Sequence, residues 1–280
     1  MRSGAIDSLQ IVTVGPISVG IQLSSGRLEA AAARRFAGFL SDEKPDLVIK
    51  LQEGAAQPDS IPIEIQSVER RGSLLKMQAD FASLDLDFDS CLGCATVITG
   101  SDAQLRNAID NLMRFLVSQL LLERRAVLLH AAGVAIEDGG AILFVGPNGA
   151  GKSTIARLSL ESGYGILGDD LIVVEPETRT CYATPFMGEL QIIGAVQVAT
   201  IRSIFLIEQA GQHQVLPIAS AEAVGALVAQ AQPLGFVDRG RIPDLIGWVS
   251  PLAPICRRLR FRKDSGFWEV ILSSSANTAK

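Results

Sequence analysis

Apolar and polar positions change period several times along the chain, and the changes mark its elements. Leu9 to Val14 and Ile17 to Leu23 read as strands joined by the turn signal Gly15-Pro16. The Ala-rich run from Leu28 to Leu40 reads as a helix, and Leu47 to Leu51, Ile61 to Ile65 and Leu74 to Phe81 as strands. Leu84, Leu86 and Phe88 alternate with Asp85, Asp87 and Asp89, a period of two with one buried and one wet face. After Ser101 the period becomes three and four. Leu105, Ile109, Leu112, Met113, Leu116, Val117, Leu120 and Leu121 form one stripe on a helix ending near Arg124, and Ser101 with Gln104 makes a capping box. The stripe is core packing and marks a join. Ala126 to Leu129, Val134 to Ile136 and Ala141 to Val145 then read as buried strands, with a hairpin turn at Asp138-Gly139-Gly140.

This pattern divides the chain into a strand-rich region (1–100), a connecting amphipathic helix (101–125) and a third region (126–280). Hairpin-linked strands ahead of residue 145 predict an α/β fold on a mixed sheet, with the first region packed on it through the helix. A length of 280 residues agrees with about two domains. With 48% hydrophobic and 20% charged residues, intrinsic disorder is excluded. The net charge of −5 gives no basic field for nucleic acid. Mean hydropathy is high at +0.30. Yet the longest apolar run, Ala126 to Ile136, is far short of the about 20 residues of a membrane span. The N-terminus is a poor signal peptide, so a cytoplasmic protein is expected.

Four cysteines are too few for a disulfide scaffold. Cys91-Leu-Gly-Cys94 is a lone CxxC, with Gly93 read as a turn. It is assigned ordinary buried or turn cysteines ahead of a redox or metal role. Asp85, Asp87 and Asp89 could open an EF-hand loop, but Ser90 and Thr96 stand where Gly and Glu are needed.

One motif carries chemistry. Gly146-Pro-Asn148-Gly149-Ala150-Gly151-Lys152-Ser153-Thr154 fits G-x-x-x-x-G-K-[ST], with an apolar strand before it and a helical run after it. The glycines let backbone N–H groups wrap a phosphate, and the helix N-terminus adds partial positive charge. Lys152 is placed to reach the terminal phosphates, and the Ser153 hydroxyl to complete a Mg²⁺ shell. Nucleotide binding is therefore expected through Gly146, Asn148, Gly149, Ala150, Gly151, Lys152, Ser153 and Thr154.

Asp169-Asp170 follows sixteen residues after Ser153, after one helix and ahead of the strand Leu171 to Val174. Two adjacent carboxylates beside the loop can hold Mg²⁺ and accept a proton from an attacking hydroxyl. The alternative is a metal-holding and structural pair only. No LSGGQ-like segment follows, which argues against an ABC ATPase. No arginine-rich lid stands between Asp170 and Glu208, which argues against an adenylate-kinase type.

From about Val127 to Glu208 the chain resembles the HPr serine kinase family, which shares a P-loop core with the ATP-type phosphoenolpyruvate carboxykinases. The resemblance rests on Leu128-Leu129-His130 ahead of the loop, the loop itself, Asp169-Asp170, and Gly188-Glu189-Leu190-Gln191-Ile192-Ile193-Gly194. There the family has L-E-I-R-G-L-G, so Gln191 replaces its Arg. The closing segment, Pro254 to Ile271, looks like the tail of the shorter HPr kinase-related proteins. The arginine-rich C-terminal loop of the bifunctional enzymes is not recognisable, with Arg239 and Arg241 only vaguely placed.

The resemblance implies catalytic roles for Asp169 (base), Asp170 (its partner), Glu189 near the metal and His130 near the phosphates, with a buried core histidine as the alternative for His130. The metal would lie with Ser153, Asp170 and Glu189. His213 reads as solvent-exposed. The expected activity is transfer of the γ-phosphoryl group of ATP, with Mg²⁺, to a hydroxyl. The acceptor would be Ser or Thr of a peptide or protein, or a small molecule, but not HPr. The other hypothesis is a non-catalytic ATP-binding accessory module. Acceptor choice is assigned to the N-terminal strands, the Thr184–Glu189 segment and the Phe236–Arg241 loop. Self-association into a homo-oligomer is left open.

Overall fold

A computed structural model describes residues 8–54, 64–98, 100–192, 194, 197–232 and 239–276. Contacts divide the chain into two compact units, Met1–Leu120 and Leu121–Lys280. The boundary falls inside the long helix rather than at its ends.

The first unit holds β1 (Ser8–Val14), β2 (Ile17–Leu23), α1 (Gly26–Arg35), β3 (Leu40–Ser41), β4 (Leu47–Glu53), β5 (Ile65–Arg71), β6 (Leu74–Ala79), β7 (Ala82–Asp87), β8 (Leu92–Val97) and most of α2 (Asp102–Glu123). The predicted helix over 28–40 stops at Arg35. The strand expected at 61–65 has residues 61–63 outside the described part. The eight strands form one sheet in the order β3-β1-β2-β4-β8-β7-β6-β5. Gly15, with φ 59°, turns the β1–β2 hairpin. β2 then pairs in parallel with β4, and β4 with β8.

In β7 the alternation is as read: Leu84 and Leu86 are buried and Asp85 is exposed. The turn expected at Gly93 lies at Cys91, whose φ is 55°, and Gly93 and Cys94 sit inside β8; both cysteines are exposed rather than buried. A side chain at Gly93 would crowd the Asp85 carbonyl, which explains the glycine there. The capping box on α2 is present. Gln104 N–H donates to Ser101 Oγ, and Gln104 Oε1 accepts the Ser101 N–H at 2.8 Å. All eight stripe residues of α2 are buried.

The second unit holds β9 (Val127–Ala135), β10 (Gly140–Val145), α3 (Lys152–Glu161), β11 (Gly165–Gly168), β12 (Leu171–Glu175), β13 (Thr180–Tyr182), β14 (Val198–Gln209), β15 (Gln214–Leu216), α4 (Ser220–Gln230), β16 (Ala231–Gln232), α5 (Ile242–Val249), β17 (Cys256–Phe261) and α6 (Phe267–Ala276). The two strands expected over 126–136 are one. Gly133 does not break β9: it pairs with Leu143 of β10, and Ile172 and Leu167 pack where its side chain would be.

The sheet is mixed, as expected. β9 pairs antiparallel with β10 and with β12, while β10–β14 and β14–β17 are parallel. The main path runs β10-β9-β12-β13-β14-β17-β15, and β10 pairs with β14 as well, so the pairing returns on itself. Against the sheet lies an aromatic core. Phe144 stacks on Phe205 at 5.9 Å and meets Phe267 and Trp268 edge-on. Ile155 and Ala156 of α3 and Ile271 of α6 complete it. Burial of these rings fixes α3, and hence the loop before it, over the sheet. Among the described residues, no helix is long and apolar enough to cross a membrane.

Candidate functional site

The centre of the site is one residue of β9. Ala131 pairs with Val145, the last residue of β10, on one side. On its other side the Ala131 N–H donates to the Asp170 carbonyl at 3.0 Å. β11 pairs with β9 up to Gly168, and β12 resumes opposite His130 at Leu171. Asp169-Asp170 is therefore an interruption in one long antiparallel ladder, level with the point where the glycine-rich loop leaves β10. Two segments apart in sequence flank the same strand position.

The loop itself follows its glycines. Gly149 and Gly151 have φ of 79° and 108°, a region that costs other residues about 1–2 kcal/mol. A Cβ on Gly151 would also stand 2.7 Å from the Phe261 ring. Gly151 is the N-cap of α3, and its carbonyl accepts the Ile155 N–H. The Lys152 Nζ turns back over the loop, donating to the carbonyls of Gly146 (2.8 Å) and Pro147 (3.2 Å). Burial pushes the Lys152 amine below its ordinary pKa, and the negative charges of Asp170 and Glu189 oppose the shift.

A cleft of about 530 Å³ opens above the loop. Asn148, Gly149, Gly151, Lys152, Ser153 and Thr154 line it, together with His130, Asp169, Asp170, Gly188 and Glu189. Gly146 and Ala150 lie outside the lining. Gly146 packs against Ala150 and Ile207 and contributes its carbonyl to Lys152.

The two aspartates differ in kind. Asp169 is 2% exposed, and its carboxylate accepts the N–H groups of Gly188 (3.0 Å) and Leu190 (2.9 Å). It ties the 188–190 segment to the sheet. Gly188 must be glycine there, since a Cβ would lie 2.6 Å from the Asp169 carboxylate. Asp170 has a side chain 21% exposed, and its Oδ1 lies 3.0 Å from His130 Nε2. His130 is thus partly buried and paired at the cleft wall. Glu189 is exposed at the rim. Gln191, in a left-handed conformation (φ 51°), donates from Nε2 to the Gly188 carbonyl.

Two lining residues were missed in the sequence: Gln209 and Lys263. Each follows or ends a strand parallel to β10, and ligands in α/β sheets gather at the carboxyl ends of parallel strands. The signal was the parallel pairing itself, which the sequence does not display. Gln209 Nε2 donates to the Gly149 carbonyl at 2.9 Å.

His213 is not solvent-exposed as expected. Its side chain is 14% exposed and its Nε2 lies 2.8 Å from Asp264 Oδ1. Arg241 does not stand free either. It donates to Glu123 and to the Leu122 carbonyl, and lies over the Trp248 ring. The Arg239 side chain, residues 233–238 and Ile193 lie outside the described part.

Among the described residues, no group of three or more His, Cys, Asp and Glu side chains is placed to share a metal. Asp169, outside the expected metal set, is committed to the 188–190 backbone. Mg²⁺ does not need such a cage. It takes one or two carboxylates, water and substrate phosphates, and the hydroxyl of Ser153 with Asp170 and Glu189 is an all-oxygen set of that kind in one cleft. Compared with models of protein families and with curated proteins, the chain matches none.

Proposed function

We propose that the second unit is a P-loop nucleotide-binding domain. In this reading the chain is an ATP-dependent phosphotransferase of the HPr serine kinase type. It transfers the γ-phosphoryl group to a hydroxyl, that of a Ser or Thr in a peptide or protein other than HPr. The observation that carries the reading is the meeting of Lys152 and Ser153 with Asp170 and His130 in one cleft, at the end of a strand–loop–helix unit.

The geometry supports the following division of labour. Loop N–H groups and the α3 N-terminus cradle the phosphates. Lys152 exchanges its two loop carbonyls for phosphate oxygens, whose negative charge offsets what burial costs the ammonium. Asp170, rather than Asp169, takes the acceptor proton, because Asp169 has both oxygens engaged by backbone. His130 holds the Asp170 carboxylate in place. The acceptor oxygen forms a bond to the γ-phosphorus, the bond to the β,γ-bridging oxygen breaks, ADP leaves, and the proton ends on Asp170. Ser153 and Glu189 would hold Mg²⁺, which would neutralise phosphate charge and leave the free oxygen of Asp170 to the acceptor proton. Acceptor recognition is assigned to the first unit and the Thr184–Glu189 segment.

A second reading, an ATP-binding accessory module, is favoured by Gln191 in place of the family's Arg, folded back onto Gly188. Calorimetry with ATP and Mg²⁺ tests the shared part of both. Lys152→Ala is expected to lose at least about 100-fold in affinity while keeping its fold. Equal affinity in the variant removes the basis of both readings. Transfer of labelled phosphate to candidate acceptors then separates them.

A further inference from the structure

We infer that Lys263 and Gln209 form the nucleoside end of the cleft, so that the nucleotide lies across the carboxyl ends of β10, β14 and β17 with its terminal phosphate toward Asp170 and His130. The inference rests on the nucleotide reading above and adds to it a polarity and a subsite.

The cleft has unlike ends. The sheet places β12, β9, β10, β14 and β17 at successive positions around the loop. The carboxylates stand at the β9–β12 side, where they can serve metal, terminal phosphate and acceptor. Gln209 ends β14, three residues beyond Leu206, the partner of Val145. Lys263 lies beyond Phe261, the partner of Gln209. Both reach past the last residue of β10, to the side of the loop away from the acids. Along the pairing β9-β10-β14-β17, Lys263 enters the cleft three strands from the strand that Asp170 flanks.

Lys263 is exposed but its backbone is held. The next residue, Asp264, accepts from His213 Nε2 (2.8 Å), the Gly266 N–H (3.0 Å) and the Arg262 guanidinium. The Arg262 N–H in turn points to His213 Nδ1 at 3.4 Å. The β17–α6 connection is thus clamped on both sides of Lys263. Gln209 holds the Gly149 carbonyl, which fixes the adjoining wall. An ammonium at this end meets the α-phosphate of a nucleoside polyphosphate, whatever the number of phosphates beyond it.

The test is calorimetric titration of the full chain with ATP and with ADP, in Mg²⁺, for the wild type, Lys263→Met and Lys263→Glu. Both variants are expected to fold, since the side chain is exposed. Lys263→Met is expected to weaken ATP and ADP by the same factor, about tenfold, and Lys263→Glu by more. A loss for ATP with none for ADP would place Lys263 at the terminal phosphate and overturn the polarity. Unchanged affinity for both nucleotides in both variants would remove Lys263 from the site while leaving the nucleotide reading standing. Absence of any Lys152-dependent binding in the wild type would overturn that reading too.

Discussion

Replacing Asp169 by Asn separates a fold-holding carboxylate from the proposed proton acceptor. Asp169 is 2% exposed and accepts two backbone N–H groups, one per oxygen. Asn keeps a single acceptor oxygen and turns an NH₂ group toward the other N–H. One buried donor then loses its partner, at about 1–3 kcal/mol, and the surviving bond loses its charge assistance, about 1 kcal/mol. The total is about 2–4 kcal/mol. In a unit of this size each kcal/mol moves the melting midpoint by about 2–4 °C, so Asp169→Asn should melt roughly 5–15 °C below the wild type. Asp170→Asn should behave oppositely. Its side chain is partly exposed and faces His130. Its stability should stay within about 1 kcal/mol of wild type, while phosphoryl transfer falls by about 10²–10⁴-fold. Differential scanning calorimetry and a labelled-ATP transfer assay on the same preparations give both readouts. An Asp169→Asn protein that melts with the wild type yet transfers nothing, beside an Asp170→Asn protein at full rate, would refute the assignment.

Gly151→Ala should lose at least tenfold in ATP affinity with a folded remainder, because φ 108° and the 2.7 Å approach to Phe261 leave no room for a Cβ without moving the loop. Calorimetry checks it, and an unchanged affinity would contradict the loop geometry. A thiol reagent should modify two cysteines in the native protein, Cys91 and Cys94, which are exposed, and all four in denaturant. Burial pushes the thiols of Cys181 and Cys256 up to about 12, which keeps them unreactive, so four fast thiols in the native state would refute this. Hydrogen bonds from Arg262, the Gly266 N–H and His213 bring the Asp264 carboxyl down to about 2 from 3.8. Its folded pKa is below its unfolded one, so its stabilisation is complete above the unfolded value and is lost as pH falls through the folded one. Acid titration followed by circular dichroism should show a smaller loss of stability from about pH 4 to about pH 2 in Asp264→Asn, and an identical acid limb would count against the clamp.

What the sequence determined by itself was local. The glycine-rich loop was legible because its requirements are met within one stretch: positive-φ glycines, a lysine and a hydroxyl at fixed offsets, a strand before and a helix after. The capping box of α2, the buried stripe and the alternation in β7 were legible for the same reason, since periodicity and a three-residue hydrogen-bond spacing are properties of neighbours in the chain. The candidate acids were legible only as a pair. Which of them is tied to backbone and which is left partly exposed in the cleft depends on how the ladder between β11 and β12 is interrupted opposite β9, and a shift of one residue there exchanges their places. Gln209 and Lys263 were invisible because nothing in the chain announces that β14 and β17 run parallel to β10, which alone brings their ends to the loop. His213 was read as exposed from its polar neighbours, and Asp264, far along the chain, decided otherwise. Local backbone chemistry set the glycine-rich loop, and strand pairing across long separations decided which side chains surround it.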